Sequence, residues 1–393
     1  MKILFVNTLY APFRVGGAEV SVQTMAEGLA ASGHRVYVLT LGYQQSVRKL
    51  NGVVIVTIRT KNLYHIEKAA GQPSIKKLIW HLLDSCNPFY RTAIGNLLDR
   101  IKPDVVNTNN IQGFSPKIWK IVKKHKIKLV HTMRDYYLMC HNTTMYTKCG
   151  DCQQLCFACN VTWKIKKNYL DLPDGFIGIS KFILDQHLRF GIGAQKPVKV
   201  IANGISVQTI PPPEVKHPSS PVILGFIGKV NVQKGVDFLF SELAKLPAKT
   251  HFKLLVAGKA EPGFQEMLTE KYQGKFDFTF LGKTDANSFY RQIDLALVPS
   301  AWNEPFGRIP IEAVAALTPV CLAYKAGLAE LYNEQQMWRF DMQENSLKSL
   351  LEPILVHPEL IAEKSRACKG IDDFYLPALL NEQLTDFIHS IHE

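Results

Sequence analysis

Nowhere in the 393 residues does an apolar run approach the roughly 18–20 needed for a helix to cross a bilayer, which excludes a helical membrane span. The first apolar run, Ile3 to Val6, is too short for a signal-peptide core and reads as a β-strand, so the expectation is a cytoplasmic protein, soluble or peripheral. Eight cysteines are too few for a disulfide scaffold. With 25 glycines and 21 prolines, the chain has no excess of the kind that marks collagen or low-complexity sequence. Acidic residues are scarce in one half only. Residues 1–210 hold 28 Lys+Arg against 11 Asp+Glu, whereas 211–393 hold 18 against 23. That asymmetry suggests an anionic partner for the first half: a nucleic acid, an anionic membrane surface or a phosphorylated substrate. The densest stretch, Lys117 to Lys128, reads equally as the solvated face of a helix.

What the chain does have is 47% apolar residues, enough for two domain cores in a chain of this length. Short β-branched runs alternate with helical patterns. Strands are expected at 2–7, 35–41, 128–133 and 175–179, with a further one opening at Val105, and helices at 18–32 and 113–126. The pattern pauses at a proline-rich stretch, 206–221, and restarts with strands at 222–227, 253–257, 277–281, 293–299 and 319–323, with helices from about 235 and 310. Alternation of this kind predicts α/β architecture: two doubly wound, Rossmann-type parallel sheets, each covered on both faces. The expected domains are 1–205 and 222–371, joined by the linker, with a final helical segment at 372–393. Ligands of such sheets bind beyond the carboxyl ends of the strands, and a cleft between two such domains is the natural active site.

Three segments fall at those ends. The first runs from Val298 to Ala313 and contains Glu304-Pro305-Phe306-Gly307-Arg308 and Glu312. A helix is expected to start near Pro310, with Glu312 in its first turn. Free N–H groups there favour an anion, while Glu304 and Glu312 would repel one unless they accept hydrogen bonds from vicinal hydroxyls. The segment therefore suits a ligand carrying both phosphate and sugar hydroxyls. It also suits an ordinary helix start whose acidic residues complement the dipole. The second segment, Gly228-Lys229 to Lys234-Gly235, brackets a strand-to-helix turn with two lysines, a pattern suited to a diphosphate or simply to the surface. It lacks the spacing of a Walker loop. In the third, Gly16-Gly17 precedes the first helix and reads as a phosphate-facing or a plain tight turn.

Taken together these segments resemble glycosyltransferase family 4, the retaining nucleotide-sugar enzymes with a GT-B fold. The resemblance rests on Glu304-x7-Glu312, on Gly16-Gly17-Ala18-Glu19, on Ile179-Ser180-Lys181, on Asn203-Gly204 and on Lys229…Lys234, all in order along nearly the whole chain. It implies an N-terminal acceptor domain and a C-terminal donor domain, facing across a cleft, with the last helix crossing back to the first domain. Lys229 and Lys234 would hold the diphosphate. Glu304 would bind hydroxyls of the transferred sugar and Glu312 the ribose diol. The backbone at Phe306, Gly307 and Arg308 would meet sugar and phosphate, with Gly16 and Gly17 approaching from the other domain. The donor would be a UDP- or GDP-sugar, with no catalytic metal. The acceptor would be a saccharide or lipid-linked saccharide of cell-surface polysaccharide synthesis, reached from the anionic inner leaflet through the basic N-terminal half. Nucleic acid drops out as a partner.

The chain departs from the family at four places. Lys229 replaces the usual Arg, Arg134 the usual His, Ala316-Leu317 the usual Cys-Gly, and Ala326-Gly327 the usual Gly-Gly. These changes point to a narrowed donor pocket or to reduced activity, and so keep open a second reading, a non-catalytic binding protein on a degenerate transferase scaffold. His131 reads as a satisfied core histidine. Finally, Cys149, Cys152, Cys156 and Cys159 form two Cys-x2-Cys pairs in a loop spanning 140–159. Structural zinc, packed free thiols, and a disulfide or iron–sulfur centre are the open readings. Cys86, Cys321 and Cys368 read as core thiols.

Overall fold

The computed structural model describes residues 1–13, 16–69, 71–147, 149–205, 214–218, 220–248, 250–369 and 375–391. The chain divides into two compact units: one of Met1–Thr147, Cys152–Ser206 and Tyr375–Glu393, the other of Lys148–Asp151 and Val207–Phe374. Most of the proline-rich stretch lies outside the described residues. Among those described, no helix is long and apolar enough to cross a membrane.

The first unit is an eight-stranded sheet. Its strands are β1 (Lys2–Val6), β2 (Arg35–Gly42), β3 (Ser46–Leu50), β4 (Val53–Arg59), β5 (Val105–Thr108), β6 (Lys128–Met133), β7 (Gly175–Gly178) and β8 (Val198–Val200), in the order β8-β7-β6-β5-β1-β2-β4-β3. Every pairing is parallel except β3 with β4, an antiparallel edge hairpin that the expected all-parallel sheet did not include. β3 reads Ser-Val-Arg-Lys-Leu, without the β-branched run that marks a buried strand, so nothing in its sequence announced it. The central strands are buried on both faces, which is why Ile3 to Val6 is a continuous apolar run rather than an alternating one. Helices α1 (Gly17–Ala31), α2 (Ser74–Ser85), α3 (Arg91–Ile101), α4 (Lys117–Lys124), α5 (Phe157–Lys166) and α6 (Lys181–Arg189) belong to this unit. So does the C-terminal helix, Pro377–Ser390, whose Leu380, Leu384, Phe387 and Ile388 join the core of β1 and α1.

Two sequence readings are settled by burial. His131 is 4% exposed, with Nδ1 2.9 Å from Thr108 Oγ1, a core histidine as expected. The lysine run is less uniform than expected. Lys120 and Lys124 face solvent, but Lys123 pairs with Asp174 at 2.7 Å and Lys128 is buried, donating to the Ile388 carbonyl. Lys128 opens a strand rather than extending the helix, so its side chain enters the packing.

Buried histidines make acid stability testable. His187, on α6, is fully buried, with Nδ1 2.8 Å from the Ile183 carbonyl, and burial pushes its pKa down to about 4. The unfolded chain takes up that proton near pH 6.5, so the contribution is complete above 6.5 and is lost as pH falls toward 4. His187→Gln is expected to lose about 1–2 kcal/mol less stability than the wild type between pH 6.5 and 5, read by urea melts.

The second unit is a six-stranded, all-parallel sheet. Its strands are β9 (Val222–Ile227), β10 (Phe252–Ala257), β11 (Asp277–Gly282), β12 (Leu295–Val298), β13 (Val320–Ala323) and β14 (Met337–Phe340), in the order β11-β10-β9-β12-β13-β14. Helices α7 (Val236–Leu243), α8 (Phe264–Tyr272), α9 (Ala286–Gln292), α10 (Arg308–Ala315) and α11 (Ala326–Ala329) connect the strands, and α12 (Ser346–Val356) and α13 (Glu359–Ala367) close the unit. Phe240 of α7 anchors the core, its ring centroid 5.1–5.9 Å from those of Tyr272, Phe276, Phe278 and Phe280. The strand order reverses between β9 and β12, so a switch point opens at their carboxyl ends.

Candidate active site

The loops after β9 and β12 meet at that switch point. After β9 the chain turns through Gly228 to Lys229, and Asn231 caps a short 3-10 turn, its Oδ1 accepting the Lys234 N–H at 3.0 Å. Gly235 follows with φ +70°, and a Cβ there would stand 1.7 Å from the Pro299 carbonyl oxygen. Only glycine permits this approach. The Gln233 carbonyl accepts the N–H groups of Ala301 and Trp302, at 3.1 and 3.3 Å, which locks the two loops together.

Lys234 and Glu304 are thereby joined. Lys234 Nζ lies 2.7 Å from Glu304 Oε1 and 5.5 Å from the centroid of the Trp302 ring, and Ser300 Oγ also donates to Glu304 Oε1. The Glu304 side chain is 9% exposed, that of Lys234 20%. Lys229 is exposed and has no hydrogen-bond or ion-pair partner among the described residues. A free cation thus stands five residues before a paired one.

The strap from Glu304 to Gly307 is seated on α11. Gly327 donates its N–H to the Glu304 carbonyl at 3.0 Å, and Phe306 is buried. Gly307 has φ +98°, and a Cβ there would meet Leu328 Cδ2 at 2.3 Å. The next helix begins at Arg308, two residues earlier than expected, so Glu312 stands in its second turn rather than its first. Arg308 and Glu312 pair at i,i+4: Nε and Nη2 each lie 2.9 Å from Glu312 Oε1, and the Tyr290 hydroxyl is 3.5 Å from Oε2. Asp151, which clusters with this unit, accepts the Asn303 N–H at 2.8 Å and pairs with Lys325 at 2.7 Å. The site is therefore a preorganised array: one free lysine, one lysine–carboxylate pair, and a second carboxylate held by arginine.

Gly16 and Gly17 lie in the other unit, at the start of α1. Gly16 is extended, its N–H donating to Glu19 Oε2 at 2.8 Å, and a Cβ there would make only ordinary contact. Nothing local therefore demands glycine at 16. In the same unit Arg134 is buried, its Nε donating to Asn109 Oδ1 at 2.7 Å and Nη1 to Asn203 Oδ1. Asp135 accepts from Asn110 at 2.8 Å, and burial raises its pKa to about 6.

The cysteines are dispersed in environment. Cys149 and Cys156 are exposed, Cys152 half-buried and Cys159 buried, with Cys159 Sγ 3.3 Å from His141 Nδ1. Among the described residues, no three His, Cys, Asp or Glu side chains gather at metal-holding spacing. Cys321 and Cys368 are buried; Cys86, expected in the core, is half-buried. Sequence reasoning missed the partners Ser300, Trp302 and Asn231. Asn231-x2-Lys234 and Arg308-x3-Glu312 were readable spacings, an N-cap and an i,i+4 pair. The contacts of Ser300 and Trp302 with Glu304 and Lys234 depend on the locked loops.

Comparison with known proteins shows the family and the fold. The profile of Glycosyltransferase Family 4 matches residues 15–209, and that of Glycosyl transferases group 1 matches 221–353. An uncharacterized 42.6 kDa protein in the cps region of Klebsiella pneumoniae is 33% identical over 335 residues, 84% of this chain and 87% of its own. Sucrose-phosphate synthase from Thermosynechococcus elongatus superposes with a TM-score of 0.77 at 18% identity, covering 100% of this chain and 99% of that one. HepE of Anabaena in complex with UDP-glucose does so with a TM-score of 0.70 at 16% identity, covering 99% and 100%. The chain belongs to the glycosyltransferases of family 4 and group 1, and its fold is GT-B.

Proposed function

We propose that the chain is a retaining glycosyltransferase that moves a hexosyl group from a nucleotide sugar, a UDP-sugar first among the candidates, to a saccharide or lipid-linked saccharide in cell-surface polysaccharide synthesis. The observation that carries the reading is the Lys234–Glu304 pair at the switch point, with Lys229 free beside it. Lys229 and Lys234 take the diphosphate, Glu304 accepts hydrogen bonds from the sugar, and Glu312 takes the ribose diol. The backbone at Phe306, Gly307 and Arg308 lines sugar and phosphate. Gly16 and Gly17 supply the approach from the acceptor unit, which explains a glycine at 16 that its own surroundings do not require.

The anomeric C–O bond to phosphate breaks as the acceptor oxygen bonds to the same face of that carbon, and the acceptor proton passes to the leaving phosphate oxygen. Charge therefore develops on the diphosphate, where two lysines strengthen their hold in the transition state. Arg134, held by two asparagines where the family resemblance implies His, is a fixed cation in the acceptor unit. We place the enzyme in the cytoplasm, with peripheral access to the membrane.

The reading is tested by thermal shift with UDP, GDP, ADP and UDP-glucose. A ligand that binds only the folded state adds about 2.7 kcal/mol at a hundredfold excess over Kd, so UDP and UDP-glucose should raise Tm by several degrees. Lys234→Ala and Lys229→Ala should each weaken UDP about tenfold or more. Absence of a shift with every nucleotide would sink the proposal.

A further inference from the structure

Three sulfurs converge at the start of α5. Cys140 and Cys159 are buried, 4% and 5% exposed, and the Cys159 thiol donates a hydrogen bond to the Cys140 sulfur. Cys156, exposed at the N-cap of α5, is hydrogen-bonded to Cys159 in turn. Cys159 therefore stands between a surface sulfur and a buried one. Cys140 lies outside the two Cys-x2-Cys pairs, and only the fold brings it to them.

The loop after Cys140 is built around its sulfur. The chain turns back at once, the Thr143 N–H donating to the Cys140 carbonyl at 2.9 Å. Thr143 and Met145 hold φ of +65° and +47°, a region that residues with a Cβ enter only at a cost. The N–H groups of Asn142, Thr144 and Met145 are thereby aimed at the Cys140 sulfur. Backbone N–H groups gathered on one atom form a nest for an anion. The hydrogen bond from Cys159 and these N–H groups hold the Cys140 thiol below its usual range, against its burial. The ammonium of Lys166, buried and donating to the Tyr137 carbonyl at 2.6 Å, attracts both sulfurs as thiolates. A strained loop and a buried cation spent on one sulfur exceed what a packed core thiol needs.

We infer that Cys140, Cys156 and Cys159 form a reversible thiol–disulfide site, oxidised by a small disulfide of the glutathione class and storing the oxidised state as a Cys140–Cys159 bond. Burial keeps such an oxidant from Cys140 and Cys159, so Cys156 is the point of entry. The Cys156 thiolate attacks one sulfur of the oxidant, whose S–S bond breaks, and the first glutathione thiolate leaves a mixed disulfide behind. Cys159 then attacks the Cys156 sulfur and expels the second glutathione thiolate. Cys140 attacks Cys159 last and returns Cys156 to its reduced form. In sum, Cys140 and Cys159 give up two electrons and two protons, and one glutathione disulfide becomes two glutathione thiols. A stabilised thiolate is also a good leaving group, so the bond is easily reduced again, as suits a regulatory rather than a structural disulfide. The inference goes beyond the transferase reading and does not depend on it.

Disulfide mapping of the full chain tests it. The reduced protein is incubated with about 1 mM glutathione disulfide, blocked with iodoacetamide and digested for mass spectrometry. A Cys140–Cys159 peptide pair should dominate, each chain lighter by two hydrogens, and dithiothreitol should restore both thiols. Cys156→Ser should slow its formation at least about tenfold without changing the product, whereas Cys149→Ser and Cys152→Ser should alter neither rate nor product. The wild-type map decides the pairing even where a variant fails to fold. Cysteines that all stay reduced, a free Cys140 in the oxidised chain, or a Cys156→Ser variant that oxidises at the wild-type rate would overturn the inference. So would zinc that co-purifies with the chain and shields these thiols from alkylation until it is chelated.

Discussion

Glu304→Gln is expected to lower turnover by about 10²–10³-fold, measured as acceptor-dependent nucleotide release. The substitution keeps the shape of the side chain and removes its charge. In the resting site Glu304 Oε1 takes hydrogen bonds from both Lys234 and Ser300 in a nearly dry position, so it is held in one place. A carboxylate held this way can accept from sugar hydroxyls without reorganising, and a neutral amide accepts more weakly and turns its NH2 toward one donor. The loss should fall mainly on kcat, with the UDP affinity within a few-fold of wild type, because the diphosphate is assigned to the lysines. Glu304→Ala adds a structural cost of about 1–3 kcal/mol, since Lys234 is left half-buried without its carboxylate. Normal turnover by Glu304→Gln would remove Glu304 from the reaction.

Gly235→Ala is expected to lower Tm by about 10 °C, corresponding to about 3–5 kcal/mol. The added Cβ would lie 1.7 Å from the Pro299 carbonyl oxygen, a collision with backbone that no rotamer relieves, at φ +70°. Gly263→Ala is the matched control. It too has positive φ, +75°, but nothing stands within 4 Å of its Cβ position. It should cost only the torsional penalty, about 1 kcal/mol. The difference between the two variants isolates the close approach of the loops after β9 and β12. Because that approach brings Lys234 to Glu304, Gly235→Ala should also weaken UDP binding at temperatures where the protein remains folded. Equal Tm values for the two variants would show that the loops can separate freely.

Much of this protein was legible before any coordinates. Parallel strands buried on both faces tend to be continuous apolar runs, so β1, β9 and β12 were readable from the sequence pattern, as were the helices that follow β1 and β9. Lys229, Lys234, Glu304 and Glu312 were also singled out, because strand-to-helix junctions are where such sheets bind ligands. Less was legible where packing decides. β3 has no strand signature and exists because β4 offers it an edge. Lys128 looked like one more surface lysine and is buried because its strand runs under the C-terminal helix. The four cysteines of the paired knuckles share a spacing but not an environment.

Sequence by itself determined the type and order of the main elements, the two-sheet organisation and the residues at the strand ends. Periodicity and turn chemistry are local properties, and they are written in neighbouring residues. Tertiary structure alone decided which side chains meet. That Lys234 is spent on Glu304 while Lys229 stands free follows from a glycine pressed against a carbonyl 64 positions along the chain. That Ile75, Leu78, Ile79 and Leu82 of α2 face outward follows from Trp80 and Asp84 being claimed by the core beneath them. A helical period states that a face exists, and only the packing around it states which way that face turns.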